Sequence, residues 1–227
     1  MFEARVFGLR KSRDAVENRK IRIAMFGSFY RGYYMLDELL HGPLKDHFTV
    51  VGVASDDVSE SFISSKVRVW QYPHLPVEET MVERRSNQHG LPFYKGRVKC
   101  DAFYEIYEQE WAPDLCVSAT FGQRIDARLF KFPGFGFFNI HPCIEDGWPS
   151  KYAGPNPFQA LMDDGHDYAM AALHRVDDGF DTGELIAMSS RIAMPPHATV
   201  VDMHKITSPV VARFAAYELA KLAGVAA

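Results

Sequence analysis

From residue 21 onward, short apolar runs alternate with stretches of helical periodicity. Residues 21–27 (IRIAMFG) are apolar almost throughout and stop at a glycine, after which Ser28 opens an amphipathic segment running to Leu40. Residues 48–54 (FTVVGVA) lack polar alternation, as a strand covered on both faces does. Together these predict the opening βαβ unit of a parallel sheet. Residues 57–91 have no clean period, so loops with one or two short helices are expected there. Residues 91–94 read as a brief strand, 101–111 carry Phe103, Ile106, Tyr107 and Trp111 at helical spacing, and 114–119 form another buried strand. Beyond Pro133-Gly134, residues 135–140 form a strand expected to end at His141-Pro142, because proline supplies no ladder donor.

A helix over 157–162 follows, then strands over 168–176 and 185–194 on either side of the polar loop 177–183. The last helix is expected over 199–222, with Asp202 in its first turn and Lys221 in its last, matching the helix dipole. Continued alternation predicts an α/β fold: a doubly wound, mostly parallel central sheet with helices on both faces. A single domain over 21–227 is expected, preceded by a polar extension of residues 1–20.

With 227 residues, 47% of them hydrophobic and 24% charged, the chain is large enough to bury roughly 70% of its unfolded surface without staples. Its three cysteines, Cys100, Cys116 and Cys143, share no C-x-x-C spacing, which disfavours a disulfide framework or a metal site and fits a reducing cytoplasm. A net charge of −4, with no long basic run after residue 20, disfavours a nucleic-acid partner. Residues 1–20 mix both charge signs without an apolar core, and no apolar stretch reaches the roughly 18 residues that span a bilayer, so no membrane insertion is expected.

Ligands of open parallel sheets bind beyond the carboxyl ends of the strands. The segment 138–142 (FNIHP) sits at such an end, and Asn139 and His141, two apart in extended chain, project to one side. Asp181, on the loop after another strand, is a candidate third member that would orient the imidazole. The strings NIHP, WPSKYAGPNPFQAL and VDDGFDTGELI, in that order, resemble the folate-dependent formyltransferases, over most of residues 21–195. That family includes the glycinamide ribonucleotide and methionyl-tRNA enzymes.

The resemblance implies a Rossmann-like formyltransferase fold and a catalytic trio of Asn139, His141 and Asp181. It implies a folate pocket built from Phe121, Gly122, Gln123, Arg124 and Ile125 on one side and Val176, Asp177, Asp178 and Gly179 on the other. The formyl donor would be 10-formyltetrahydrofolate, with no metal. On that reading Asn139 and a protonated His141 would donate to the oxygen that gains negative charge.

The segment 143–149 (CIEDGWP) departs from the family's usual sequence, so Glu145 and Asp146 become candidates for an acceptor's ammonium group, or else solvated loop charges. SFYRGYY at 28–34 replaces a glycine-rich phosphate turn and, with WPSKYAGPNPFQAL, looks most like siderophore-pathway hydroxyornithine transformylases. That likeness implies a small-molecule acceptor, with Ser28 and Arg31 as further acceptor-side candidates. Arg31 reads first as an ordinary surface charge and second as a carboxylate contact. Transfer to tRNA is not expected, since the chain ends soon after the last helix and carries no basic patch. The alternatives are an amino-sugar nucleotide formyltransferase, with Tyr30, Tyr33 or Trp148 stacking on a base; a formyltetrahydrofolate hydrolase; a noncatalytic folate-binding module; and a thiol hydrolase built on Cys143 and His141.

Overall fold

Side-chain alternation along the first strand divides the core into two layers. In β1 (Ile21–Gly27), Ile21, Ile23 and Met25 point to one face and Ala24 and Phe26 to the other. The fold is described here from a computed structural model covering residues 19–60, 69–144 and 148–225. Its remaining strands are β2 (Phe48–Ser55), β3 (Phe93–Lys95), β4 (Leu115–Ala119), β5 (Gly136–Cys143), β6 (Tyr168–Arg175), β7 (Leu185–Met188) and β8 (Ile192–Ala193). They form one sheet in the order β3-β2-β1-β4-β5-β6-β7, with β8 also on β6. The pairs from β3 across to β5 are parallel, whereas β6 runs antiparallel to β5, β7 and β8.

Helices cover both faces, as the alternation predicts. α1 (Phe29–His41) and α7 (Val200–Leu222) pack Leu36, Leu39, Val211, Ala215 and Leu219 onto Ile23, Met25 and Val117. On the other face α4 (Asp101–Glu105) continues into a π-helical turn, Ile106–Trp111, and α5 (Ala127–Phe130) follows β4. Phe26 is the hub of this layer, meeting Phe103, Tyr107, Trp111 and Phe121 edge-on at centroid distances of 5.5–6.4 Å. Each such ring contributes about 1.5–3 kcal/mol through burial. α2 (Pro76–Glu79), α3 (Met81–Gln88) and α6 (Pro157–Asp163) complete the shell.

Local chemistry fixes the element ends. Thr199 Oγ1 accepts the Asp202 N–H at 3.1 Å and Asp202 accepts the Thr199 N–H at 3.0 Å, a reciprocal cap on α7. Three expectations need correction. First, β5 does not stop at Pro142. Its pairing with β4 ends at Ser118↔Asn139, so the strand beyond is an edge on that side, where a missing N–H leaves no gap, while β6 carries it on to Cys143↔Met170. Second, residues 185–194 are two strands, not one: the Ser189 hydroxyl accepts the Ala171 N–H at 2.9 Å, and the ladder breaks there. Third, the helix over 101–111 opens into the π turn after Glu105, a change in winding that apolar spacing does not encode.

No helix among the described residues is long and apolar enough to cross a membrane. The β1–β2 register slips by one residue where Ala24 meets Gly52. Gly52 lets Trp111 lie directly on the strand, since a Cβ there would sit 2.0 Å from the indole. Gly52→Ala is therefore expected to destabilise the fold by about 1–3 kcal/mol, read as a lower urea midpoint at unchanged m value. An unchanged midpoint would mean that the indole is free to move away.

Candidate active site

The sheet changes direction of growth at β1, which has β2 on one side and β4 on the other. Beyond the carboxyl ends of these strands lies a cavity of about 510 Å³, within the usual range for small-molecule sites. β5 contributes Asn139 and His141 to its wall, and both line it together with Asp181 from the loop after β6. Pairing register supplies a further neighbour: His174 of β6 stands opposite Asn139, and both line the cavity. Asp181 has φ 51° and Thr120, at the end of β4, has φ 60°, so two left-handed residues stand at the site, one of them an aspartate, which tolerates that conformation.

The polar groups are mutually engaged. Asn139 Nδ2 donates to Asp181 Oδ1 at 3.2 Å and lies 3.1 Å from His174 Nε2. The carboxylate is 3.4 Å from His141 Nδ1 through Oδ2 and 3.4 Å from His174 Nε2 through Oδ1. Burial pushes the Asp181 carboxyl up, but His174, the His141 ring and the Gly154 N–H more than offset this and hold it below its ordinary value. Gly154 thus ties the WPSKYAG segment to the carboxylate.

His141 is 6% exposed, and its Nε2 faces the Tyr152 carbonyl at 3.1 Å. A carbonyl only accepts, so Nε2 bears the proton. Burial pulls the ring below its ordinary 6.5, outweighing the attraction of Asp181, with His174 and Arg31 adding to the decrease. His141 is therefore predominantly neutral at pH 7, not charged as the sequence reading expects.

The predicted folate-side residues Phe121, Gly122, Gln123, Arg124, Ile125, Val176, Asp177 and Gly179 all line the same cavity. Asp178 does not; its carbonyl accepts from Arg124, which also lies over the Phe180 ring at 5.1 Å and so links the two walls. Gln123 is committed to the scaffold, donating to Gly96 O at 2.7 Å and accepting the Val98 N–H at 3.0 Å. Sequence reasoning missed Asp56, just past β2, whose buried carboxylate accepts the Gly122 N–H at 2.8 and 2.9 Å and fixes the 121–125 loop. Its position at a strand's carboxyl end was the available signal.

The cavity is also lined by Arg31, Val69, Trp70, Pro157 and His204. Arg31 is not the surface charge that a polar residue on an amphipathic helix suggests: it is 2% exposed, against Thr207 and the Phe158 ring. Ser28 does not line the cavity; its hydroxyl accepts the Asp56 N–H at 3.0 Å and bonds to Ser55. Glu145 and Asp146 lie outside the described residues. Burial pushes the Cys143 thiol up to about 11. Trp148 packs on His174 at 4.5 Å and donates to Gly183 O at 3.0 Å, while the Tyr30 hydroxyl donates to Glu78 and Tyr33 receives Arg85.

Comparison with known proteins adds four likenesses. The family described as "Formyl transferase" matches residues 34–210. A methionyl-tRNA formyltransferase of Thermus thermophilus is 28% identical over 181 residues, 79% of this chain and 53% of that protein, so the chain spans about half the length of such curated relatives. Among solved structures, a phosphoribosylglycinamide formyltransferase of Streptococcus pneumoniae TIGR4 shares the fold with TM-score 0.62 and 18% identity, over 89% of this chain and 98% of that one. A formyltetrahydrofolate deformylase of Pseudomonas syringae pv. tomato str. DC3000 also shares it, with TM-score 0.62 and 18% identity, over 90% and 62%.

Asp56→Ala removes the acceptor of the Gly122 N–H. Amide exchange at Gly122 is expected to quicken about tenfold, corresponding to roughly 1.4 kcal/mol of lost protection. Unchanged exchange would mean that the loop is held by other contacts.

Proposed function

Because the chain belongs to the formyl transferase family, whose members use formyl-tetrahydrofolate, we propose that it moves the formyl group of 10-formyltetrahydrofolate onto a nitrogen of a small-molecule acceptor. The acceptor favoured by the residues is hydroxyornithine, formylated on its δ-hydroxylamino nitrogen. The observation that carries the reading is the meeting of Asn139, His141 and Asp181 in one cavity that is also lined by residues 121–125, Val176 and Arg31. The donor fits this lining by its character: Phe121, Ile125 and Val176 offer apolar surface, with peptide groups between them for a flat heteroaromatic ring.

The residues divide the chemistry as follows. Asn139 turns its Nδ2 hydrogen from Asp181 onto the formyl oxygen, which gains negative charge as the acceptor nitrogen attacks the carbon. The Asp181 carboxylate takes the proton released by that nitrogen and passes it to the bare Nδ1 of His141, which it faces at 3.4 Å. Asp181, held ionised by its neighbours, stabilises the imidazolium so formed. The same pair returns the proton to the folate nitrogen as its bond to the formyl carbon breaks, and the chain ends the cycle unchanged.

Other readings draw less support. A thiolate at Cys143 is disfavoured by its raised pKa, and the His141 nitrogens face Asp181 and Tyr152 instead. None of Tyr30, Tyr33 and Trp148 lines the cavity, which weakens the nucleotide acceptor. Water, the acceptor of a deformylase, is separated by assay: tetrahydrofolate release is followed with hydroxyornithine, ornithine, glycinamide ribonucleotide, amino-sugar nucleotides or no acceptor.

His141→Ala and Asp181→Asn are each expected to lower kcat at least 10³-fold with donor binding retained, and Asn139→Ala about 10²–10³-fold. Turnover retained in both of the first two would remove the pair from the chemistry. Because the neutral ring is the active form, kcat/KM is expected to rise with pH through an inflection below 6.5 and to stay level from 7 to 8. A fall over that rise would identify the imidazolium as the working species. Glu145→Ala with Asp146→Ala is expected to raise the acceptor's KM about tenfold with the donor's unchanged; equal effects on both would remove these carboxylates from acceptor binding.

A further inference from the structure

We propose that Arg31, anchored by Thr207, and His204 form a recess that takes the α-carboxylate of the acceptor and selects amino-acid acceptors over neutral or phosphorylated ones. The proposal rests on the formyl-transfer reading above and extends it to acceptor selection. Arg31 belongs to α1 yet is 2% exposed and lines the cavity that also holds His141. Among the described residues its hydrogen bond goes to Thr207 Oγ1 at 3.2 Å, a neutral hydroxyl that itself donates to Met203 O at 2.7 Å. Its Nε has no partner. Among the described residues no carboxylate pairs with it, and the Cys143 thiol is the nearest thing to a counter-charge.

Burial pushes the guanidinium down to about 10, so it still carries its charge at neutral pH. An unpaired buried cation is strongly unfavourable, and a ligand anion is the partner that this cavity can admit. The neighbouring groups indicate which anion. His204 is buried with an unpartnered Nδ1, and burial together with Arg31 holds its ring well below 6.5, so it is neutral. The recess therefore offers one positive charge and one neutral imidazole, while the Thr207 hydroxyl, its hydrogen given to Met203 O, serves only to anchor the guanidinium. Aromatic rings surround it: Phe158 lies 5.4 Å below the guanidinium, and Phe29 and Phe158 meet His204 edge-on at 5.5 and 5.0 Å. A single fixed fork in a dry, aromatic setting matches a planar monoanion and under-compensates a phosphate dianion.

The test compares L-hydroxyornithine with its carboxamide in formyl transfer by the wild type, Arg31→Lys and Arg31→Met. Calorimetric titrations with L-ornithine, L-ornithinamide and inorganic phosphate accompany it. The wild type is expected to favour the acid over the amide about 30-fold in kcat/KM. Arg31→Met should reduce this preference to threefold or less by losing activity on the acid alone, and Arg31→Lys should restore part of it. Donor binding, measured separately, reports whether each variant is folded, and the acid–amide comparison on the wild type needs no variant. Equal use of acid and amide by the wild type would overturn the recess while leaving the formyl-transfer reading standing. Absence of turnover with any amino acid, together with Arg31-dependent binding of phosphate, would overturn both the carboxylate assignment and the hydroxyornithine reading.

Discussion

An ionised carboxylate in a mostly buried position has to be surrounded by donors, and Asp181 is that constraint in this protein. Left alone there it would take up a proton; instead the Asn139 amide and the Gly154 N–H donate to it, the His141 and His174 rings lie beside it, and it is held ionised. Much of the local architecture is arranged around this cluster. The antiparallel turn of β6 onto β5 sets His174 across from Asn139, and the loop 177–183 turns back through a left-handed aspartate to deliver the carboxylate between them. The cluster joins three separate chain segments, which ties the geometry of the site to the integrity of the sheet beneath it.

Charge is distributed unevenly along the cavity. At its centre an anion lies among imidazoles and amide hydrogens, whereas at the Arg31 end a buried cation has, among the described residues, only a hydroxyl and a neutral ring beside it. The two regions are electrostatically linked, since Arg31 is one of the influences that keep His141 neutral. Elsewhere along the cavity Asp56 spends its charge on a backbone amide, and Arg124 spends its own on a carbonyl and an aromatic face. Those groups shape a surface, while the unbalanced end stands ready for a partner.

Much of the fold could be read from the sequence because it rests on local pattern: mostly apolar runs for β1, β2 and β4, helical spacing for α1 and α7, and polar stops at Ser28 and Thr199. The misreadings came where long-range pairing overrode local preference. Pro142 stays in its strand because β4 has already ended beside it, and a serine hydroxyl splits the last strand pair; neither fact is written within a few residues of the site. Asn139 and His141 were legible from their spacing at a strand end, and Asp181 from its Gly-rich loop. His174 was hidden because only the register of β5 on β6 puts it beside Asn139. Arg31 was misjudged because one polar residue on a helix face looks the same whether water or another helix lies above it, and here α7 covers it.

The late course of β5 divides the site into a rigid part and a variable part. Asn139 lies where the strand still has neighbours on both sides, and a slip of one residue there would turn its side chain to the opposite face. From Ile140 onward only β6 holds it, and the strand ends at Cys143. Length and composition in the connection that follows are free to diverge without disturbing the polar cluster behind it. The fixed half of the strand thereby holds the polar cluster while the connection beyond it is released from the sheet's register.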